Sequence, residues 1–417
     1  MRPRVHFHSD CEFFAGCENM LANFFRDSRL MNEFEVTFSY RQSAAYDAGF
    51  QSRVTRKFDV RPLPLKDVVV LNARTRELPA VLGRPLRIAG RLLLLRYWYL
   101  LWNTVLLYRT IGKADLLHVN NGNYPGAHSC MAAVFAARLR GVRRIVYVVN
   151  NIAIPYDCIR RWLDYPFDRV VAAAVSKFIT ASHPAGSALQ KVLRLPPSKL
   201  VSIHNGIRLR AATENRAETL RRLNIPDSRV LIGVVAILEE RKGHRVLLDA
   251  MARLKKQHGN HVLPLIIIEG AGSQLDAITR IVAAHGLGDD VRLIGSERNI
   301  FNLLNAVDAL ALPSVSHEDF PNVVLEAMGL GKPVIGSRLA GIPEQIEHME
   351  SGMLVEPGNS VELGDAIDRL GNDPALRQRL GRDAQRRFNA RFTADAAVAN
   401  YLSLYRTLLN EGAERTN

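Results

Sequence analysis

Short runs of branched and aliphatic residues recur along this chain, each followed by a longer stretch with helical spacing. That alternation does more than any other feature to limit the folds open to it. In the second half the runs are Val230–Ala236, Leu263–Glu269, Val291–Ile294, Ala309–Leu312 and Pro333–Gly336. Between them His244–Lys256, Gln274–His285 and Asn299–Ala306 space their apolar residues for helices. Strands alternating with helices of ~10–15 residues predict βαβ units and a parallel sheet, and runs apolar throughout predict strands covered on both faces. The first half repeats the order with Val5–His8, Glu35–Tyr40, Val68–Asn72, Leu116–Asn120, Ile145–Val149, Phe178–Ala181 and Leu200–His204. Its helices are expected at Met131–Leu139, Pro166–Ala174 and Ala185–Leu193. A single core stops growing at ~250–300 residues, and this chain has 417. Two doubly wound α/β domains are therefore expected, 1–198 and 199–393, divided near Leu195-Pro196-Pro197. Open parallel sheets bind ligands beyond the carboxyl ends of their strands, so a site is expected in a cleft between the halves.

The clearest chemistry follows the run Ala309–Leu312, in PSVSHEDFPNVVLEAMGLGKPVIGS. Two glutamates, Glu318 and Glu326, stand there with seven residues between them. Pro321 suits the first turn of a helix, where its missing N–H costs nothing. Glu318 then lies on the entering loop and Glu326 about a turn and a half inside. The backbone N–H groups of Phe320, Pro321's successor Asn322, and Val323 open an anion site at the helix amino terminus. Standing alone, a pair at this spacing is more often a cap and a surface helix residue.

The surrounding residues decide between these. Glu318-Asp319-Phe320-Pro321, Glu326-Ala327-Met328, Gly331-Lys332-Pro333-Val334-Ile335, Ala340-Gly341-Ile342-Pro343-Glu344 and Gly352-Met353-Leu354-Val355 follow in order. From about Leu200 to Phe392 the chain resembles the retaining glycosyltransferases of family 4, whose GT-B fold has two Rossmann-like domains. The resemblance implies that Glu326 binds the ribose hydroxyls of a nucleotide sugar, Glu318 holds sugar hydroxyls, and the amides around Phe320–Val323 meet sugar and diphosphate. It also implies that a helix at Ala394–Leu409 carries the tail 394–417 back to the first, acceptor-binding domain, while 199–393 bind the donor.

Family members usually place an Arg, then a Lys-Gly, after the first strand of the donor domain, both cations facing the diphosphate. Such cations accelerate transfer by stabilising charge on the leaving group. Here, in VVAILEERKGHRVLL, Lys242-Gly243 fits, but Ile237, or Ala236 if the gap is one longer, stands where the Arg is expected. Arg241 is the candidate substitute. Asn205-Gly206 resembles the family's strand-ending pair, although Arg208 follows in place of an Asp, and Gly295 with Arg298 matches a loop near the base. Glu269-Gly270-Ala271-Gly272 lacks the third glycine of a dinucleotide fingerprint, since Leu275 stands there, and reads as a tight turn.

The first half carries fewer signals. Gly16 and Glu18 occupy the place of a glycine-rich loop that keeps one glycine, and Asn150 stands where many relatives have a His. Asn can bind a sugar hydroxyl but cannot titrate. His118 ends a strand, so Gly16, Glu18, His118 and Asn150 are the candidate acceptor residues; a hydrogen-bonded core histidine is the other reading of His118.

Lys and Arg exceed Asp and Glu by fourteen, which favours anionic partners. From Arg84 to Arg144 ten basic residues face one acid, Asp115, around LLLLRYWYLLWNTVLLY. Apolar and aromatic residues flanked by arginine suit a helix lying in a membrane interface, and an internal helix pair with solvated arginines is the competing reading. Cys11, Cys17, Cys130 and Cys158 are too few and too scattered for a disulfide framework or structural zinc, and no run reaches the ~20 residues of a membrane span. A cytoplasmic chain, peripheral on an anionic membrane surface, is the expectation.

The resemblance implies transfer with retention from a UDP- or GDP-linked sugar to a glycan or lipid-linked acceptor in bacterial surface-polysaccharide synthesis. No D-x-D triplet occurs, so no metal and no cofactor is expected. Two competing readings remain. One is a sugar- or nucleotide-binding protein that lost catalysis, suggested by Ile237 and Asn150. The other is a nucleic-acid binder, which the charge alone suggests and the absence of any recognition motif opposes.

Overall fold

Every strand pairing between the named strands is parallel. The structure, a computed structural model, describes residues 2–411 except 15, 69–70, 72–77, 80–83, 85–94 and 260–261. Chain contacts divide it into two units, Met1–His204 with Ala397–Asn417, and Asn205–Ala396.

The first unit holds a seven-stranded sheet ordered β3-β2-β1-β4-β5-β6-β7. Its strands are β1 (Arg4–Ser9), β2 (Glu35–Arg41), β3 (Asp59–Leu63), β4 (Leu116–Asn121), β5 (Arg144–Val149), β6 (Lys177–Thr180) and β7 (Leu200–Ser202). Strand residues alternate between two cores. Val5, Phe7, Leu116 and Val146 face one, and Leu117, Val119, Ile145 and Tyr147 face the other. Both faces are apolar because crossover helices cover both. The helix Ala394–Asn410 closes one face, burying Ala397, Val398, Tyr401, Leu402, Tyr405 and Leu408 against the sheet. Each large apolar side chain so buried is worth about 1.5–3 kcal/mol.

One expected strand is corrected. The strand expected at Val68–Asn72 is not one where it is described: Val68 and Leu71 are helical, with the Leu71 N–H donated to the Asp67 carbonyl, and the rest of that run lies outside the described residues. The third strand is Asp59–Leu63 instead. Its charged, proline-bearing sequence DVRPL hides it, and only an edge position tolerates Pro62, which is where β3 lies.

The second unit holds a six-stranded sheet ordered β10-β9-β8-β11-β12-β13. Its strands are β8 (Leu231–Val235), β9 (Leu265–Glu269), β10 (Val291–Gly295), β11 (Ala309–Leu312), β12 (Val334–Ser337) and β13 (Gly352–Val355). Both sheets are thus doubly wound, two Rossmann-like α/β units of the GT-B class. In each, the strand order reverses once, between β1 and β4 and between β8 and β11. Loops leaving the carboxyl ends of such a pair diverge and open a crevice. In the second unit those loops are 236–243 and 313–321.

Candidate active site

The two loops at the β8–β11 reversal bring together residues far apart in sequence. After β8 the chain forms a tight turn at Glu240–Lys242 and reverses at Gly243, where φ is +71°. A Cβ there would stand 1.9 Å from the Pro313 carbonyl oxygen, so only glycine lets the two loops meet. The contact aims Lys242 at Glu318, and the ammonium and carboxylate form a direct ion pair. Glu318 also accepts the Ser314 hydroxyl at 2.9 Å and is 8% exposed. A charge pair this dry is worth keeping only if both members stay matched.

Helix Asn322–Gly329 follows. Pro321 is its N-cap residue rather than part of its first turn, and no side chain caps the helix. The Pro321 carbonyl accepts the Gln345 amide at 3.0 Å. The Phe320 ring is buried against Phe392, with centroids 5.8 Å apart, so the backbone and not the ring is what Phe320 offers a ligand. Asn322 and Val323 open the helix. Glu326 sits on its second turn. Among the described residues no donor bonds its carboxylate, and burial pushes that carboxyl up to about 6, against the opposing pull of the Arg210 charge. Burial disfavours the ionised form, and the Arg210 charge repays only part of that cost.

Arg241 does not join this group. Its guanidinium bonds Glu239 at 2.6 Å and the His317 carbonyl at 3.1 Å, while its own carbonyl accepts the Val315 N–H at 2.8 Å. It braces the 313–318 loop that carries Glu318, so the expectation of a second cation beside Lys242 is corrected: neighbours in a tight turn point in different directions. Ile237 is 47% exposed. The cation whose charge does act on Glu326 is Arg210, which also lies over the Phe301 ring at 5.0 Å; no sequence signal marks it.

The remaining donor-half candidates sit at neighbouring strand ends. Asn205 and Gly206 lead into Ile207, whose N–H and carbonyl bond Phe392 and Ala394, each at 3.0 Å. Arg208, where relatives have an acid, lies 3.8 Å from Asp395 at the surface. Gly270, at φ +138°, would put a Cβ 2.0 Å from the Ala236 carbonyl, and its N–H bonds the Gly295 carbonyl at 2.9 Å. The β8, β9 and β10 loops are thereby stitched together, with Arg298 exposed beside them.

Three first-unit expectations change. His118 is completely buried, its Nδ1 2.6 Å from the Tyr405 hydroxyl and its ring against Phe7 and Phe24. Burial drops its pKa to about 3. It is a neutral core histidine, out of reach of any ligand. Glu18 is also fully buried, accepting Ser9, Tyr46 and Asn120, and so secures the β1–β4 reversal from within. Asn150 spends its amide on Asn120 and the Asn121 carbonyl, at 3.0 and 2.8 Å. Gly16 begins an exposed helix end. Sequence reasoning missed a second buried pair at this reversal: Arg41 on Asp10, with Asp67 at 3.1 Å and Ser129 also on Asp10.

Known proteins resemble this chain in sequence and in fold. Residues 215–387 match the family model described as glycosyl transferases group 1, and 66–211 match that of glycosyltransferase family 4. The lipopolysaccharide core biosynthesis glycosyltransferase LpsD of Rhizobium meliloti is 35% identical over 179 residues, 43% of this chain and 50% of that protein. An uncharacterized glycosyltransferase of Methanocaldococcus jannaschii is 23% identical over 321 residues, 74% of this chain and 81% of its own. The chain thus matches about half the length of LpsD. Among solved structures, Anabaena HepE in complex with UDP superposes with a TM-score of 0.73 at 19% identity, covering 96% of this chain and 99% of that one. At that identity the likeness concerns the fold.

Proposed function

The chain belongs to glycosyltransferase family 4, and on that footing we propose that it moves a sugar from a nucleotide-sugar donor to a glycan acceptor with retention at the anomeric carbon. The anomeric C–O bond to the donor diphosphate breaks, and a bond from the acceptor oxygen to the same carbon forms on the same face. The acceptor's hydroxyl proton leaves with the diphosphate oxygen. No group in this scheme needs a metal ion: Lys242 and the uncapped amino end of helix Asn322–Gly329 supply the positive potential the leaving group requires.

One observation carries this reading. Glu326 is a half-buried carboxylate with a raised pKa and, among the described residues, no hydrogen-bond donor, one helical turn from an uncapped helix start. Two vicinal hydroxyls would supply the missing donors. Glu318, already paired with Lys242, would exchange part of that contact for sugar hydroxyls, releasing the ammonium to the diphosphate. HepE has been crystallised with UDP-glucose, which supports a UDP-linked donor; a GDP-linked one is the alternative. The likeness to a lipopolysaccharide core enzyme supports an acceptor in bacterial surface-polysaccharide assembly, and we propose that this acceptor is carried on a lipid at the cytoplasmic face of the membrane.

The test is a thermal-shift screen against UDP-, GDP- and ADP-sugars, followed by a transfer assay with and without a chelator. A true donor raises the midpoint by mass action, and transfer persists in the chelator. No shift with any nucleotide sugar sinks the proposal. The exposed Ile237 and the diverted Arg241 favour a second reading, a binding protein without turnover. Equal donor turnover by the parent and by Glu318→Ala would select it.

A further inference from the structure

The outer face of helix Leu95–Ile111 is apolar. Leu100, Leu107 and Ile111 pack inward, while Trp98, Leu101, Trp102, Val105 and Tyr108 are exposed. At 3.6 residues per turn these five fall within an arc of about 120°. Arg109, also exposed, is the charged residue among them, and a helix face otherwise this apolar is ordinarily covered.

The surface continues onto a second helix. Arg96 donates to the Arg160 carbonyl at 2.8 Å, and the Tyr97 hydroxyl donates to Asp164 at 3.3 Å, tying Leu95–Ile111 to Ile159–Trp162. There Ile159, Trp162 and Leu163 are 82%, 53% and 45% exposed. The chain has three tryptophans, and all three lie on these two helices with more than half their surface open. A protein interface depletes Lys, though not Arg, at its centre. Here Lys66 lies over the Trp102 ring at 4.4 Å and Arg140 over Tyr108 at 3.9 Å, and nine Lys and Arg stand against two acids between Leu95 and Leu163. Amphipathic aromatic rings interleaved with cations match the headgroup region of a bilayer, where rings enter the acyl boundary and cations meet phosphate.

We propose that the joined faces of helices Leu95–Ile111 and Ile159–Trp162 seat the protein on an anionic phospholipid leaflet. The inference rests on the lipid-linked acceptor proposed above only for its purpose; its geometry stands separately. Intrinsic tryptophan emission reads this surface directly, because every tryptophan is on it. The full chain is titrated with phosphatidylglycerol-containing vesicles and with pure phosphatidylcholine vesicles, following emission and cosedimentation. Expected are a blue shift and cosedimentation with the anionic vesicles. Each cation near a charged leaflet is worth roughly fivefold in partition, so Lys66→Ala with Arg109→Ala lowers it about thirtyfold. Trp98→Ser with Trp102→Ser lowers it by about tenfold or more; both pairs are exposed and melt like the parent. A parent that stays in the supernatant, or variants that sediment as the parent does, overturns the proposal. So does a blue shift that grows with protein concentration without lipid, which assigns the face to a second copy of the chain. If the parent ignores vesicles yet transfers sugar to a soluble acceptor, this surface fails and the transferase reading stands. Vesicle binding without any response to nucleotide sugars is the reverse.

Discussion

Glu326→Gln separates the stability of the empty protein from its function. An ordinary glutamate titrates at 4.5, and burial moves Glu326 to about 6. Between those values the unfolded chain has already released a proton that the folded chain retains. The folded state therefore carries no cost from Glu326 below 4.5, an increasing cost as pH rises to 6, and the full cost above it. That difference corresponds to about 2 kcal/mol. Gln keeps the shape and removes the charge, so the variant is expected to be about 2 kcal/mol more stable than the parent near pH 8 and equal to it near pH 4.5. Urea unfolding of the ligand-free proteins at both pH values measures this, scored on the midpoint with unchanged slope. The same variant should lose the midpoint increase that a nucleotide sugar gives the parent, because the amide presents one acceptor oxygen and a donor to a vicinal diol where the carboxylate presents two charged acceptor oxygens. Parent and variant of equal stability near pH 8 would refute the reasoning, as would a variant that still answers to the nucleotide.

The other predictions concern the elements that hold the site. Lys242→Ala leaves Glu318 buried without its cation, and should cost about 3–5 kcal/mol of stability besides abolishing transfer; adding Glu318→Gln should restore the stability but not the activity, read by urea midpoint and product release. Gly243→Ala forces a side chain into left-handed backbone against the Pro313 carbonyl, and should destabilise the protein by more than about 2 kcal/mol, measured by the same unfolding curve. Tyr405→Phe removes the hydroxyl partner of the buried His118 Nδ1 and should cost about 1–2 kcal/mol while leaving the KM for donor and acceptor unchanged. A shifted acceptor KM would return His118 to the ligand.

The alternation of apolar runs and helices determined parallel sheets covered on both faces by helices, because strands so covered must be apolar throughout. Glu318, Glu326 and Lys242-Gly243 were legible too, since they depend on local order along one loop and one helix. Tertiary structure alone decided the rest. The edge position of Asp59–Leu63 is what permits its proline. Which of two adjacent cations meets Glu318 depends on a glycine reversal pressed against Pro313. His118 and Glu18 end or follow strands as ligand residues do, yet the side of the sheet they face puts one in an aromatic core and the other among buried hydroxyls. The raised pKa of Glu326 and the nearness of Arg210 arise from burial and from distances between segments remote in sequence. A string of residues records which groups are present; only packing sets the dielectric around them and the partners within reach.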